Sequence, residues 1–120
     1  MVPHASSLED LLSSFFEPEK LSDFYLCNKC GKSSKKSTKT LQIWRVPRFL
    51  IIHLKRSQFG KKNTDPITIP ESLSLKSYMT ISSDKSARYC QYNMSGMIMH
   101  QGVIEGGHYW CNVKESGKWY

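Results

Sequence analysis

The stretch Met97-Ile98-Met99-His100-Gln101-Gly102-Val103-Ile104-Glu105-Gly106-Gly107-His108-Tyr109-Trp110-Cys111-Asn112-Val113-Lys114 decides the fold class. An apolar run leads into a loop, Gln101 to Gly107, that holds three glycines. A second run with alternating character follows from His108. Two strands joined in this way form an antiparallel pair. Alternation puts His108, Trp110, Asn112 and Lys114 on one face. Tyr109, Cys111 and Val113 fall on the other, which reads as the core side. Just upstream, Cys90, Tyr92, Met94 and Ile98 occupy even positions between polar Gln91, Asn93 and Ser95, the pattern of a half-buried strand. Downstream, Glu115 to Lys118 reads as a turn, and Trp119-Tyr120 opens a further strand, so the chain is expected to lack the rest of that strand.

Towards the N-terminus the periodicity changes. Ser7-Leu8-Glu9-Asp10 has the spacing of a capping box. Leu8, Leu11, Leu12, Phe15 and Phe16 then recur at helical intervals, and Pro18 closes the segment. A helix is therefore expected over 7–17. Lys32 to Thr40 reads as an exposed hairpin tip or strand edge, and Leu41 to Val46 as a strand. Phe49-Leu50-Ile51-Ile52-His53-Leu54 is a near-continuous apolar run, expected to be a strand buried on both faces. Ser57 to Asp65 is a polar loop, Ile67-Thr68-Ile69-Pro70 a short strand ending at proline, and Thr80 to Ala87 a polar linker. The fold class is α+β: one leading helix, then an antiparallel meander.

Length and composition narrow the function classes. At 120 residues, 39% hydrophobic and 22% charged, the chain is an ordinary globular domain or part of one, not a disordered or fibrous sequence. No apolar run approaches the roughly 20 residues that span a bilayer, and no signal peptide is visible. An intracellular setting, cytoplasm or nucleus, and reduced cysteines are expected, with no membrane partner. The net charge of +7 is concentrated locally: Asn28 to Thr64 carries eleven Lys or Arg and no Asp or Glu. That stretch reads either as a surface for an acidic partner or as a solvated hairpin whose charges blunt an exposed edge. Sparse aromatics disfavour a nucleic-acid platform.

The candidate chemistry lies in cysteines and histidines. Cys27-Asn28-Lys29-Cys30 holds two thiols at the spacing of one zinc ion, but a structural site takes four ligands. The pair is either half of such a site or two ordinary reduced cysteines. A redox pair lacks its βαβ context. Cys90 and Cys111 read as small buried hydrophobes. His4 lies in a terminal segment, and His53 reads as a core histidine. His100 and His108 flank the glycine loop. By pattern alone His108 is either a general base or a surface residue. Cys111 is a poor nucleophile for it, because the strand sends the two side chains to opposite faces.

Taken in order, these segments resemble the C-terminal part of the catalytic domain of ubiquitin-specific proteases, the papain-like cysteine deubiquitinases. The likeness rests on Ser7-Leu8-Glu9-Asp10-Leu11-Leu12 with Glu17-Pro18-Glu19-Lys20-Leu21, on Tyr25-Leu26-Cys27-Asn28-Lys29-Cys30, and on Val46-Pro47-Arg48-Phe49-Leu50-Ile51-Ile52-His53-Leu54-Lys55-Arg56. It continues with Tyr92, His100-Gln101-Gly102, Gly106-Gly107-His108-Tyr109 and Trp119-Tyr120. The resemblance implies a partial papain-like fold over 1–120: the helix 7–17, half of a zinc-ribbon finger at 24–46, and palm strands with the histidine box at 47–120.

The resemblance also implies a mechanism. His108 would be the general base for a cysteine nucleophile, with ubiquitin and ubiquitinated proteins as partners. The attacked bond would follow the C-terminal glycine of ubiquitin. Gly106, Gly107, Tyr109 and His100 would contact substrate. The loops Ser57–Pro66 and Gln101–Gly107 would border a channel narrow enough to admit only a Gly-Gly tail. Cys27 and Cys30 would supply two of four ligands to a structural zinc, with no catalytic cofactor.

Departures are equally legible. The cysteine box and the first CxxC are absent, and the residue that orients the histidine is expected just past Tyr120. Ser57 stands where the family carries Phe, and Cys111 where it carries a small residue. The chain is thus expected to be inactive alone. The rival readings are a degenerate ubiquitin-binding module and a basic zinc-ribbon binder of nucleic acid.

Overall fold

The computed structural model describes residues 6–21, 25–34, 36–80 and 89–120. His4 and most of the Thr80–Ala87 linker lie outside them. The helix α1 spans Leu8–Phe16, and its start is locally determined. Ser7 is the N-cap: its hydroxyl accepts from the Asp10 N–H at 3.1 Å, and the Asp10 carboxylate accepts from the Ser7 N–H at 3.1 Å. These reciprocal bonds satisfy donors that the first turn leaves unpaired. They also hold the Asp10 carboxyl below its ordinary range, the Ser7 hydroxyl foremost. Leu8 is buried, while Leu11, Leu12 and Phe16 are half-buried. Phe16 stacks on Tyr78 with ring centroids 4.6 Å apart.

Apart from two longer strands, the strands are two or three residues long, and together they form five antiparallel sheets among the described residues. β1 (Glu19–Lys20) pairs with β4 (Thr38–Lys39), and β2 (Tyr25–Leu26) with β3 (Ser33–Ser34). β5 (Ser57–Gln58) and β6 (Lys61–Lys62) make a tight hairpin around Phe59 and Gly60, both at positive φ. β7 (Ser72–Ser74) pairs with β8 (Gln91–Asn93). β9 (Gly96–Val103), β10 (Gly106–Glu115) and β11 (Lys118–Trp119) form one sheet in the order β11-β10-β9. A 3-10 turn covers Lys76–Tyr78.

The core is small. Leu8, Val46, Leu73, Leu75 and Cys90 are buried, with Leu12, Ile43, Leu50, Leu54, Ile69, Tyr78, Met79 and Tyr92 packed around them. The radius of gyration is 18.5 Å, against about 14 Å for a compact chain of this length. So few buried residues cannot shield both faces of every strand, and several expectations fail for that reason. Leu41 to Val46 and Ile67 to Pro70 are not strands. Each makes one isolated parallel bridge, Ile43 to Met79 and Thr68 to Ser7.

The apolar run Phe49 to Leu54 carries no strand pairing among the described residues. Leu50 and Leu54 pack on the core, whereas Phe49 is exposed and Ile51 is 91% exposed. His53 is likewise exposed and is not a core histidine. Only Leu50 and Leu54 of this run are covered, so it is not buried on both faces. Conversely, Leu73 and Leu75 lie in a segment that sequence reasoning passed over.

The β9–β10 sheet corrects the face assignment made from alternation. Met97, Met99, Asn112 and Lys114 are the half-buried set, while Tyr109, Cys111 and Val113 are exposed. Cys111 is therefore not a core residue, although Cys90 is. The parity changes because the chain breaks pairing at Met94-Ser95 between β8 and β9. Ile98, expected in phase with Tyr92, is thereby turned outward at 77% exposure.

Glu71 ties this sheet to the start of β7. Its carboxylate accepts from the Lys114 ammonium at 2.5 Å and from the Trp119 indole N–H at 3.5 Å. Lys114 also sits 5.6 Å from the Trp119 ring centroid. Hydrogen bonding from Lys114, then from Trp119, holds the Glu71 carboxyl below its ordinary range. A carboxyl with a lowered folded-state pKa makes the unfolded state the better proton binder. Its contribution is full above the ordinary carboxyl range and is lost as pH falls through the folded value. The stability difference between wild type and Glu71→Gln is therefore expected to be largest near neutrality and to close on acidification below pH 4. A difference that stays constant from pH 7 to pH 3 in urea titrations would contradict this.

Candidate active site

The sheet β9–β10 brings the histidine-bearing residues into register. Gly102 lies opposite Gly107, Gln101 opposite His108, His100 opposite Tyr109 and Ile98 opposite Cys111. Pairing continues to Val103 and Gly106, so the expected Gln101–Gly107 loop shrinks to a turn at Ile104-Glu105. Glycine is required at two of these positions. Gly102 has φ +118°, and a Cβ there would lie 2.7 Å from both the Gly106 oxygen and the Gly107 Cα. A Cβ on Gly107 would collide with the His100 imidazole and the Gln101 carbonyl oxygen. At Gly106 a Cβ would meet nothing within 4 Å. The hairpin is therefore as thin as backbone allows where Gly102 faces Gly107.

The candidate side chains divide between two faces. His100 and Tyr109 pack together, ring centroids 4.3 Å apart at 30°, on the face that also holds Gly107. Tyr109 is 69% exposed there. His108 stands on the opposite face, exposed, its ring inclined at 20° to that of Trp110 with centroids 6.1 Å apart. Alternation along β10 separates His108 from Cys111, as expected, and the structure sets no thiol beside the imidazole among the described residues. What the arrangement offers is an accessible imidazole on a paired strand, directly after the Gly106-Gly107 segment. Such a group can take and return a proton.

Sequence reasoning missed Lys62. The β5–β6 hairpin brings its ammonium to the carbonyl oxygens of His100, at 3.2 Å, and Gly102, at 2.8 Å. The sequence signal was only a cation in a polar, Gly-containing loop.

The cysteine pair lies elsewhere, on the turn between β2 and β3. The Gly31 N–H donates to the Cys27 carbonyl at 2.8 Å, and the Cys27 N–H to the Lys32 carbonyl at 3.0 Å. N–H groups of Cys30, then Lys29, point at the Cys27 sulfur and hold its thiol below the ordinary range, with the Cys30 thiol adding to this. Donors aimed at sulfur favour the thiolate that a metal needs, so the turn fits half of a zinc site. No cluster of three or more candidate metal ligands occurs among the described residues. No helix among them is long and apolar enough to cross a membrane.

The chain is similar to known proteins. The family model described as ubiquitin carboxyl-terminal hydrolase matches residues 4–120. Ubiquitin carboxyl-terminal hydrolase 16 of Arabidopsis thaliana is 38% identical over 122 aligned positions, covering 96% of this chain and 12% of the relative. Ubiquitin carboxyl-terminal hydrolase 3 of Homo sapiens is 31% identical, covering 95% of this chain and 23% of the relative. Among solved structures, a chain of the SAGA Ubp8/Sgf11/Sus1/Sgf73 DUB module bound to ubiquitin aldehyde superposes with a TM-score of 0.79 at 30% identity. That match covers 98% of this chain and 28% of the solved one. The helix and small antiparallel sheets thus correspond to about a quarter of the larger solved chain, and the chain belongs to the ubiquitin carboxyl-terminal hydrolase family.

Proposed function

We propose that these residues form the histidine-bearing part of a cysteine-type deubiquitinase. The observation that carries the reading is the Gly102–Gly107 contact ending at an exposed His108, within a chain matched by the family model over residues 4–120. His108 takes the proton of a cysteine thiol supplied outside these residues. The thiolate attacks the carbonyl of ubiquitin's C-terminal glycine, and His108 returns the proton to the leaving lysine amine. Water then hydrolyses the thioester, again with His108 as base. The thin glycine hairpin suits a Gly-Gly tail, because two side-chain-free backbones approach more closely than any others. His100 and Tyr109 lie on the far face from His108, so alternation separates them from the carbonyl that His108 serves.

Bound at Cys27 and Cys30 with two further ligands, zinc would supply a cross-link at the finger tip and no chemistry. A reduced intracellular setting, cytoplasm or nucleus, is the compartment of this reading. Ubiquitin and ubiquitinated proteins are the partners of this reading.

The test compares two polypeptides on a fluorogenic ubiquitin amide. The 120-residue chain alone is expected to be inert, and an electrophilic ubiquitin probe should label neither Cys90 nor Cys111. A full-length protein carrying these residues should hydrolyse the substrate. Labelling of Cys111 by the probe would replace the mechanism, and an inert full-length protein that still binds ubiquitin would make this a binding module.

A further inference from the structure

We infer that Lys62 is a positioning residue: its ammonium clamps the glycine hairpin that bears His108 to the neighbouring β5–β6 hairpin. The argument begins at the sheet edge. Among the described residues β9 is an outer strand in the order β11-β10-β9. Residues two apart along a strand point their carbonyls to the same lateral side. The His100 and Gly102 oxygens therefore share one edge of β9, and Lys62 donates to both, at 3.2 and 2.8 Å. An ammonium has three donors and no acceptor, so one group can satisfy two carbonyls at once. A charged donor makes such bonds stronger than neutral ones.

The mounting of Lys62 is itself fixed. The Arg56 guanidinium donates to the Asp65 carbonyl at 2.7 Å and to the Asn63 carbonyl at 3.4 Å. The Asn63 N–H donates back to the Arg56 carbonyl at 2.7 Å. The base of the β5–β6 hairpin is thereby closed, and Lys62 reaches out from a half-buried position on it.

The glycine hairpin needs a clamp from outside. Gly102 and Gly107 have no side chains to pack, and glycine loses the most conformational freedom when ordered. Gln101, the register partner of His108, lies between the two residues whose carbonyls Lys62 holds. Fixing those carbonyls fixes the segment against which His108 is paired. The expected sequence loops Ser57–Pro66 and Gln101–Gly107 thus behave as one body rather than two.

The catalytic arm of the test rests on the deubiquitinase reading, but the structural arm does not. In the full-length protein, Lys62→Met should raise amide hydrogen exchange across Gly102 to Tyr109 by about tenfold, the loss of a charge-assisted bond. Exchange at Ser72 to Ser74 should not move. Lys62→Arg keeps charge and donors and should restore most of the protection. On the fluorogenic substrate, Lys62→Met should lower kcat by about tenfold with little change in KM, because binding elsewhere is intact while the base is misplaced. Should Lys62→Met fail to fold, the wild-type lysine ammonium signals decide: Lys62 must exchange with water more slowly than exposed Lys61. Unchanged exchange in Lys62→Met, unaltered kcat despite faster exchange, or equal ammonium exchange at Lys61 and Lys62 overturns the assignment. A wild-type protein that does not hydrolyse the substrate removes the deubiquitinase reading and leaves exchange to decide the clamp.

Discussion

Replacing His108 with alanine in the full-length protein is expected to lower turnover of a ubiquitin amide by roughly 10²–10⁴-fold, the range for losing a general base, while ubiquitin binding survives. The separation of the two effects follows from geometry. His108 is exposed, and its ring contact is with Trp110 on its own strand. Truncating it removes little packing, and the β9–β10 ladder is made by backbone. Binding surfaces elsewhere should persist, so the loss should fall on kcat. Equilibrium binding of ubiquitin, measured beside single-turnover hydrolysis, checks both halves. Retained turnover would take His108 out of the proton-transfer role. Loss of binding in step with turnover would mean the residue holds substrate instead.

Gly102→Ala should produce the largest loss of structure, about 3 kcal/mol when positive-φ strain and overpacking are combined. The new methyl would press on backbone, the Gly106 oxygen and Gly107 Cα, and neither can swing away as a flexible side chain would. The ladder must open locally, which carries His108 out of register with Gln101. Gly106→Ala is the internal control. It meets open space, so its effect should stay within about 0.5 kcal/mol. Urea midpoints together with hydrogen exchange in β9 and β10 distinguish the two variants. Equal stability of both would mean that the close approach of Gly102 to Gly107 does not exist in solution.

Much of this could be read from residues in order. The Ser7–Asp10 box and the spacing of Leu8, Leu11 and Leu12 act within a few positions, so the helix follows from local chemistry alone. The β9–β10 hairpin is equally local, since glycines and alternation specify a two-faced ribbon, although the turn itself is only Ile104-Glu105. Register then separated His108 from Cys111 without help from the rest of the chain. The order of motifs carried the family, because their residue types and spacings survive in a chain that matches relatives along nearly all its length.

What could not be read is which face of a strand is covered. Alternation shows that Tyr109, Cys111 and Val113 share a face, but covering it depends on what packs against it. In this fold the small core lies under Leu8, Val46, Leu73, Leu75 and Cys90 instead. The same cause turned His53 and Ile51 outward from a run that looked doubly buried. Lys62 is the sharpest case. It is one of eleven cations between Asn28 and Thr64, and nothing in its neighbours distinguishes it. Its partners lie 38 and 40 residues away, as backbone carbonyls that carry no sequence signature. Local hydrogen bonds and periodicity write the helix, the ribbon and the histidine into the chain. Burial and long-range cation–carbonyl contacts exist only once distant segments meet, because both are properties of a surface formed by two partners rather than of either one.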